Sequence, residues 1–170
     1  MPVAPDKTLE ARFRELLQEN YGRLRRIARS YAAAGEHEDL LQDMLMQIWR
    51  SLPAFDGRSK LSTWAYRVGL NTALGSLRKR YTQPTTHAMQ HEQLLPLVPA
   101  SVGNPTDPGA LLDSFLRCLG PIDRAVLMLA LDDLSYLDIA QITGINSNTV
   151  GIRLNRIKQR FNRDYVEEHP

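Results

Sequence analysis

Between residues 83 and 109 the chain places five of its ten prolines, Pro84, Pro96, Pro99, Pro105 and Pro108, among Thr, Ser, Gly and Asn, with no lysine or arginine at all. Regular secondary structure does not survive that density of breakers, because each proline removes a backbone donor and restricts the residue before it. A structureless connection of this length is uncommon inside one compact domain, so it reads as a flexible linker. The 170 residues therefore divide into two small folded parts, 1–82 and 110–170, each with limited surface to bury alone.

Both parts read as helical, and no alternating run competes as a strand. Leu9, Phe13, Leu16, Leu17, Leu24, Ile27 and Tyr31 recur in steps of three, four or their sums and predict a first helix, with Gly35 as a left-handed stop beyond it. A second helix is expected over about 36–52, buried along Leu41, Leu45, Ile48 and Leu52 and ended by Pro53. Ser62 can cap a third helix running from Thr63 to about Arg80. After the linker, helices are expected over 110–119 and, opened by Pro121, through Leu131. Ser135 and Asp138 form a capping box for a short helix ending near Thr143. Gly144 then supplies a tight turn, and Asn146 caps a last helix over about 147–165 with Val150, Leu154, Ile157 and Phe161 on its buried stripe. A helix, a glycine turn and a second helix with bases on its outer side describe a helix-turn-helix. The fold class is all-α, two small helical domains joined by a Pro-rich linker.

The formal net charge of +2 hides a segregated distribution. Residues 1–82 carry fourteen bases against nine acids, and the bases beyond Arg124 all lie between Arg153 and Arg163. Two basic zones flanking a stretch that holds no base and two acids, Glu92 and Asp107, are a possible nucleic-acid footprint. Composition otherwise excludes classes: 43% hydrophobic and 24% charged residues are ordinary for a globular chain. The single Cys118 allows no intrachain disulfide and no thiolate cluster, which fits a reducing cytosol. The longest apolar run, Ala125 to Leu131, is far short of the roughly 18 residues of a membrane span, and the N-terminus lacks a secretory apolar core. A cytoplasmic chain with no membrane insertion is expected.

Catalytic signatures are missing: there is no G-x-G, no G-K-[ST], no C-x-x-C and no H-E-x-x-H. His87 and His91 have a ligand-like spacing, but they lie in the Pro-rich stretch with no third ligand in view, so neither metal nor cofactor is expected. On the second helix Asp39, Gln42 and Asp43 are flanked by Leu40 and Met46, two apolar residues the buried stripe does not need. Partly apolar surface with directional charge suits helix docking, against the plainer reading of a solvated face. Phe55, Trp64, Tyr66 and Tyr81 stand among Arg58, Lys60, Arg67, Arg78, Lys79 and Arg80. Rings beside cations suit single-stranded nucleic acid, and the three consecutive bases suit phosphates, although Trp64 also serves a core.

These residues carry a resemblance. Glu38-Asp39-Leu40-Leu41-Gln42-Asp43, Trp49, Phe55, Ser62-Thr63-Trp64, Asn71 and Leu77-Arg78-Lys79-Arg80 resemble region 2 of bacterial sigma-70 factors. Ser135-Tyr136-Leu137-Asp138-Ile139-Ala140, Gly144-Ile145, Thr149-Val150 and Arg153-Leu154 resemble region 4. Regions 1 and 3 have no counterpart, the pattern of the extracytoplasmic-function (ECF, group 4) class.

The resemblance implies a transcription initiation factor, not an enzyme, that directs core RNA polymerase to promoters and melts the −10 region. Asp39, Leu40, Gln42, Asp43 and Met46 would then face a coiled coil of the β′ subunit, and the short helix after Ser135 would rest on the β flap. Arg58, Ser59, Lys60, Trp64, Arg67, Asn71, Arg78, Lys79 and Arg80 would meet single-stranded −10 DNA. Asn148, Thr149, Ile152, Arg153, Asn155, Arg156 and Lys158 would meet the −35 duplex. An anti-sigma factor is a further partner of many such proteins. Gly151 stands where the family usually has Lys or Arg, and Ile152 where a small polar residue is usual. The competing reading is an ordinary helix-turn-helix regulator using the C-terminal motif alone.

Overall fold

A computed structural model describes residues 7–82 and 107–166. The expected linker up to residue 106, with His87 and His91, lies outside the described residues. Those that are described form seven α-helices and no strand, an all-α fold. The chain divides into two compact units, one ending at Thr82 and the other beginning at Gln83.

In the first unit α1 (Lys7–Tyr31), α2 (His37–Ser51) and α3 (Leu61–Thr82) each pack against the other two. Leu16, Leu24, Ile27 and Tyr31 of α1 meet Leu41, Met44 and Ile48 of α2 and Ala65, Tyr66, Leu70 and Ala73 of α3 in a closed core. Because α2 touches both neighbours, its buried arc is wider than a single stripe. Leu40 and Met44 are therefore core residues, which corrects the expectation that Leu40 is surplus to the interior, and Leu45 is only half-buried at the edge. The third helix also starts earlier than Ser62 suggests. Its first turn closes by Trp64 N donating to Lys60 O at 3.0 Å, so Ser62 lies inside the helix.

Gly69 marks the tightest approach of the three helices: a Cβ there would meet Met44 Cε at 3.0 Å and Leu24 Cδ2 at 3.1 Å. A polar bridge crosses this interior. Tyr66 donates its hydroxyl to buried Asn20 Oδ1, whose Nδ2 donates to Leu16 O at 2.8 Å, so the amide is satisfied on both sides.

The second unit contains α4 (Pro108–Arg117), α5 (Pro121–Leu131), α6 (Tyr136–Thr143) and α7 (Ser147–Phe161), followed by a π-helical turn over Asn162–Val166. The first of these begins inside the stretch expected to be structureless. Asp107 caps it by accepting from Gly109 N at 3.0 Å, and Pro108 occupies the first turn, where its missing N–H costs nothing. Arg124 of α5 closes the other end, donating Nε to Leu116 O at 2.9 Å and Nη2 to Leu119 O at 3.2 Å and Arg117 O at 3.3 Å. Phe115, Leu116, Leu119 and Ile157 form a cluster extended by the rings of Phe161 and Tyr165.

The helix-turn-helix is built as its caps predict. Ser135 Oγ accepts from Asp138 N at 3.1 Å and donates to Asp138 Oδ2 at 2.7 Å. Gly144 takes a left-handed φ of +78°, and Asn146 accepts from Asn148 N at 2.8 Å. Val150, Leu154 and Ile157 are buried, which fixes the rotation of α7. A Cβ at Gly151 would make ordinary contact with Tyr136 Cε2 at 3.4 Å. Gly151→Ala should therefore gain about 0.5–1 kcal/mol of helix propensity without a clash. Thermal unfolding of the full chain should show a higher midpoint for the C-terminal unit, and a lower one would mean that the contact with Tyr136 is already strained.

Candidate nucleic-acid and partner interfaces

At about 100° per residue, the buried arc of α2 leaves Asp39, Gln42, Asp43 and Met46 together on its opposite side. All four are exposed, Met46 at 45% despite being apolar. Glu38, also exposed, instead turns to Arg25 Nη2 at 3.4 Å and His37 Nε2 at 3.3 Å. The outer face of α2 is thus a methionine framed by two carboxylates and an amide, with exposed Arg50 one turn beyond Met46. Leu40, sunk in the core, is not part of it.

The loop entering α3 is held locally. Asp56 Oδ1 accepts from Arg58 N at 3.1 Å and Oδ2 pairs with Arg58 Nε at 2.9 Å, with Gly57 at φ +74° making the turn. The Arg58 side chain stays 88% exposed, and Lys60 is exposed while Ser59 is half-buried. Trp64 packs half-buried against Phe55 at 5.2 Å between centroids, and the Arg12 guanidinium lies 5.9 Å over the Phe55 ring. Along α3, Trp64, Arg67, Asn71 and Arg78 fall within one narrow stripe to one side of Tyr66, Leu70 and Ala73, and the last three of that stripe are exposed. Lys79 is exposed beside it.

Arg80 parts company with its two neighbours. It lies seven residues after Ala73 and fourteen after Tyr66, hence on the buried face, and donates Nη2 to the Tyr31 carbonyl at the end of α1. That carbonyl belongs to a helix C-terminus, where a cation is favoured. The sequence spacing carries this signal, but a run of three bases masks it.

On α7 the residues turned away from Val150 and Leu154 are Asn148, Ile152, Asn155, Arg156 and Gln159, all exposed, with Ile152 at 70%. Thr149 is half-buried at the margin, and Lys158 is exposed on the flank beyond Gly151. Arg153 occupies the opposite flank, where its Nη1 pairs with Asp123 Oδ1 at 2.5 Å, while Arg156 Nη2 meets Asp123 Oδ2 at 3.1 Å. A groove beside this cluster is lined by Asp123, Arg156, Arg160 and Arg163.

The family models cover both units: "Sigma-70 region 2" matches residues 16–82 and "Sigma-70, region 4" matches residues 110–161. The chain belongs to the sigma-70 family. Several curated relatives within it are named as ECF RNA polymerase sigma factors. The chain is 27% identical over 161 residues to the ECF RNA polymerase sigma factor SigG of Mycobacterium tuberculosis, covering 79% of this chain and 43% of SigG. It is 29% identical over 165 residues to the ECF factor SigE of Mycolicibacterium smegmatis, covering 91% of this chain and 62% of SigE. The chain thus spans less than two thirds of both relatives. Among solved structures, the sigma factor RpoE of Bartonella quintana, in complex with the anti-sigma factor NepR, superposes with a TM-score of 0.71 at 25% identity, covering 93% of this chain and 98% of that one.

In this sigma factor, region 2 takes in most of α1 and all of α2 and α3, so the α2 face and the Trp64–Arg78 stripe lie in one module. Region 4 takes in nearly all of α4 and the whole of α5, α6 and α7. Three residues that spacing did not single out shape these surfaces: Asp123 and Arg124, which work through contacts across the fold, and Gln159 on the exposed face of α7. Among the described residues no helix is long and apolar enough to cross a membrane, and no group of three or more His, Cys, Asp or Glu side chains could hold a metal ion.

Proposed function

We propose that this chain is a cytoplasmic transcription initiation factor that joins core RNA polymerase, brings it to a duplex −35 element and captures single-stranded −10 DNA. The chemistry of RNA synthesis stays with the polymerase and its own metal, and the chain itself is no enzyme. The observation that carries this reading is the exposed Asp39–Gln42–Asp43–Met46 face within a region 2 unit that is joined to a region 4 unit. A helix-turn-helix regulator would have no use for that face.

On this reading α2 docks on the β′ subunit through the four exposed residues, with Met46 burying apolar area and the carboxylates setting orientation. Residues 56–60 and the Trp64–Arg78 stripe take the −10 strand, with Trp64 and Phe55 as a ring platform and Arg58, Lys60, Arg67, Arg78 and Lys79 meeting phosphates. Asn155 and Arg156 suit adenine and guanine edges in the −35 major groove, and Ile152 suits a thymine methyl. Residues 1–82, 83–109 and 110–170 serve as polymerase and −10 module, linker, and −35 module. The exposed apolar residues Tyr136 and Leu137 of α6 support contact with the β flap, and an anti-sigma factor, as seen with the RpoE relative, is a further expected partner.

Titrating labelled chain with core polymerase tests the reading: saturable, stoichiometric binding is expected, and failure to bind would return the chain to the regulator class. Replacing Arg78 and Lys79 together with Ala should weaken binding to single-stranded −10 DNA and lower the slope of log affinity against log salt by about 1–2, because each phosphate contact releases about 0.7 counterion. An unchanged slope would place both bases off the backbone.

A further inference from the structure

Asp123 lies in the first turn of α5, after Pro121, and its side chain is only 19% exposed. It accepts from two arginines of α7 that are three residues apart: Arg153, 31% exposed, on Oδ1, and Arg156, 66% exposed, on Oδ2. The two arginines differ in what the pairing leaves them. Arg153 lies on the flank of the helix with its Nη1 on Asp123 and its Nε buried, so its head group is turned into the fold. Arg156 gives Asp123 a single N–H contact from one nitrogen, which leaves two parallel N–H groups of its five for another acceptor.

We infer that Asp123 is a positioning residue for base recognition: Arg153 fixes one carboxylate oxygen, and the other holds the Arg156 guanidinium in the pose that reads a guanine. The inference rests on the reading of α7 as the helix that enters the −35 groove. An arginine reads guanine O6 and N7 with two N–H groups in a fixed fork, so its value depends on the plane being set before contact. A free arginine on an exposed helix loses rotamer freedom when it binds, and a carboxylate that has already removed that freedom makes the contact more selective. The site on α5 suits the task, because the start of a helix favours a carboxylate and the half-buried position limits its motion. Arg153, expected from the sequence to touch DNA, becomes the brace of the brace.

Reconstituted holoenzyme is tested by competition binding against a set of promoters carrying every single-base change in the −35 element. Arg156→Ala should flatten preference at one base pair. Asp123→Asn, of equal size, should flatten the same base pair by about tenfold, with affinity for promoters already mismatched there unchanged. The double variant should match Arg156→Ala alone. Should Asp123→Asn lower the folding midpoint, Arg153→Gln serves instead, and it too should flatten the Arg156 position.

Three results overturn the inference. Asp123→Asn could tighten binding evenly to every promoter, making Asp123 a mask over the arginines. Its effect could add to that of Arg156→Ala in the double variant. Or Arg153→Gln could flatten a different base pair, making Arg153 a reader in its own right. If Arg156→Ala flattens no position, the reading of α7 itself has failed, and the brace fails with it.

Discussion

Asp39→Arg is expected to lower affinity for core RNA polymerase tenfold or more, about 1.4 kcal/mol, while the folding midpoint falls by only a few degrees. The side chain is exposed on the outer face of α2 and contributes nothing to the core formed by Leu40, Leu41, Met44 and Ile48. Its only structural value is a carboxylate near a helix N-terminus, worth about 0.3–1 kcal/mol at an exposed site. Reversing its charge next to Asp43 and Met46 instead places a like charge against a surface selected for acids, and such juxtapositions cost more than the helix term. Titration of labelled core polymerase alongside thermal unfolding separates the two effects. Equal losses in both would make the residue structural. An unchanged affinity would make the face plain solvated surface.

Arg124→Ala should destabilise the C-terminal unit by about 2–3 kcal/mol, the scale of hydrogen bonds from a charged donor whose acceptors are left unpaired. The side chain serves three carbonyls around the end of α4, Leu116 O, Arg117 O and Leu119 O, of which Leu116 O also accepts from Leu119 N at 3.2 Å and the Arg117 contact is exposed. In a unit this small, that loss lowers the melting midpoint by about 10 °C or more. Arg124→Lys should recover only part of it, because a point charge cannot reach three acceptors as the guanidinium fork does. Urea unfolding of the full chain measures this directly, and an unshifted midpoint for both variants would remove Arg124 from the account of how α4 is held.

What the sequence makes legible follows from how local the cause is. The caps of α6 and α7 were readable because Ser135–Asp138 and Asn146–Asn148 act within three residues. The burial of Val150, Leu154 and Ile157 was readable because one face of α7 supplies its core. Leu40 was misjudged because α2 is buried against two helices at once, which a single stripe cannot express. Pro108 looks like a breaker in sequence because its favourable first-turn position depends on Asp107 capping the helix it opens.

The surfaces divide in the same way. The outer face of α2 follows from spacing once Leu40 is set aside, whereas Asn71 of the Trp64–Arg78 stripe is legible only through the family resemblance. The role of Arg153 is not legible, since its partner Asp123 lies 30 residues away in the chain, and for Arg80 spacing gives the buried face but not the partner, Tyr31, 49 residues away. A base that neutralises a helix end looks, in sequence, the same as a base awaiting a phosphate. Only the packing of three helices in one unit and four in the other tells them apart.

The central claim, that one chain couples polymerase binding to promoter recognition and opening, is tested most directly by adding the purified protein to core RNA polymerase with a pool of genomic fragments and mapping RNA 5′ ends. RNA starts are expected at discrete sites sharing −35 and −10 motifs, absent without the chain and lost with Asp39→Arg. Binding of the chain to DNA without any gain in site-specific RNA synthesis would contradict it.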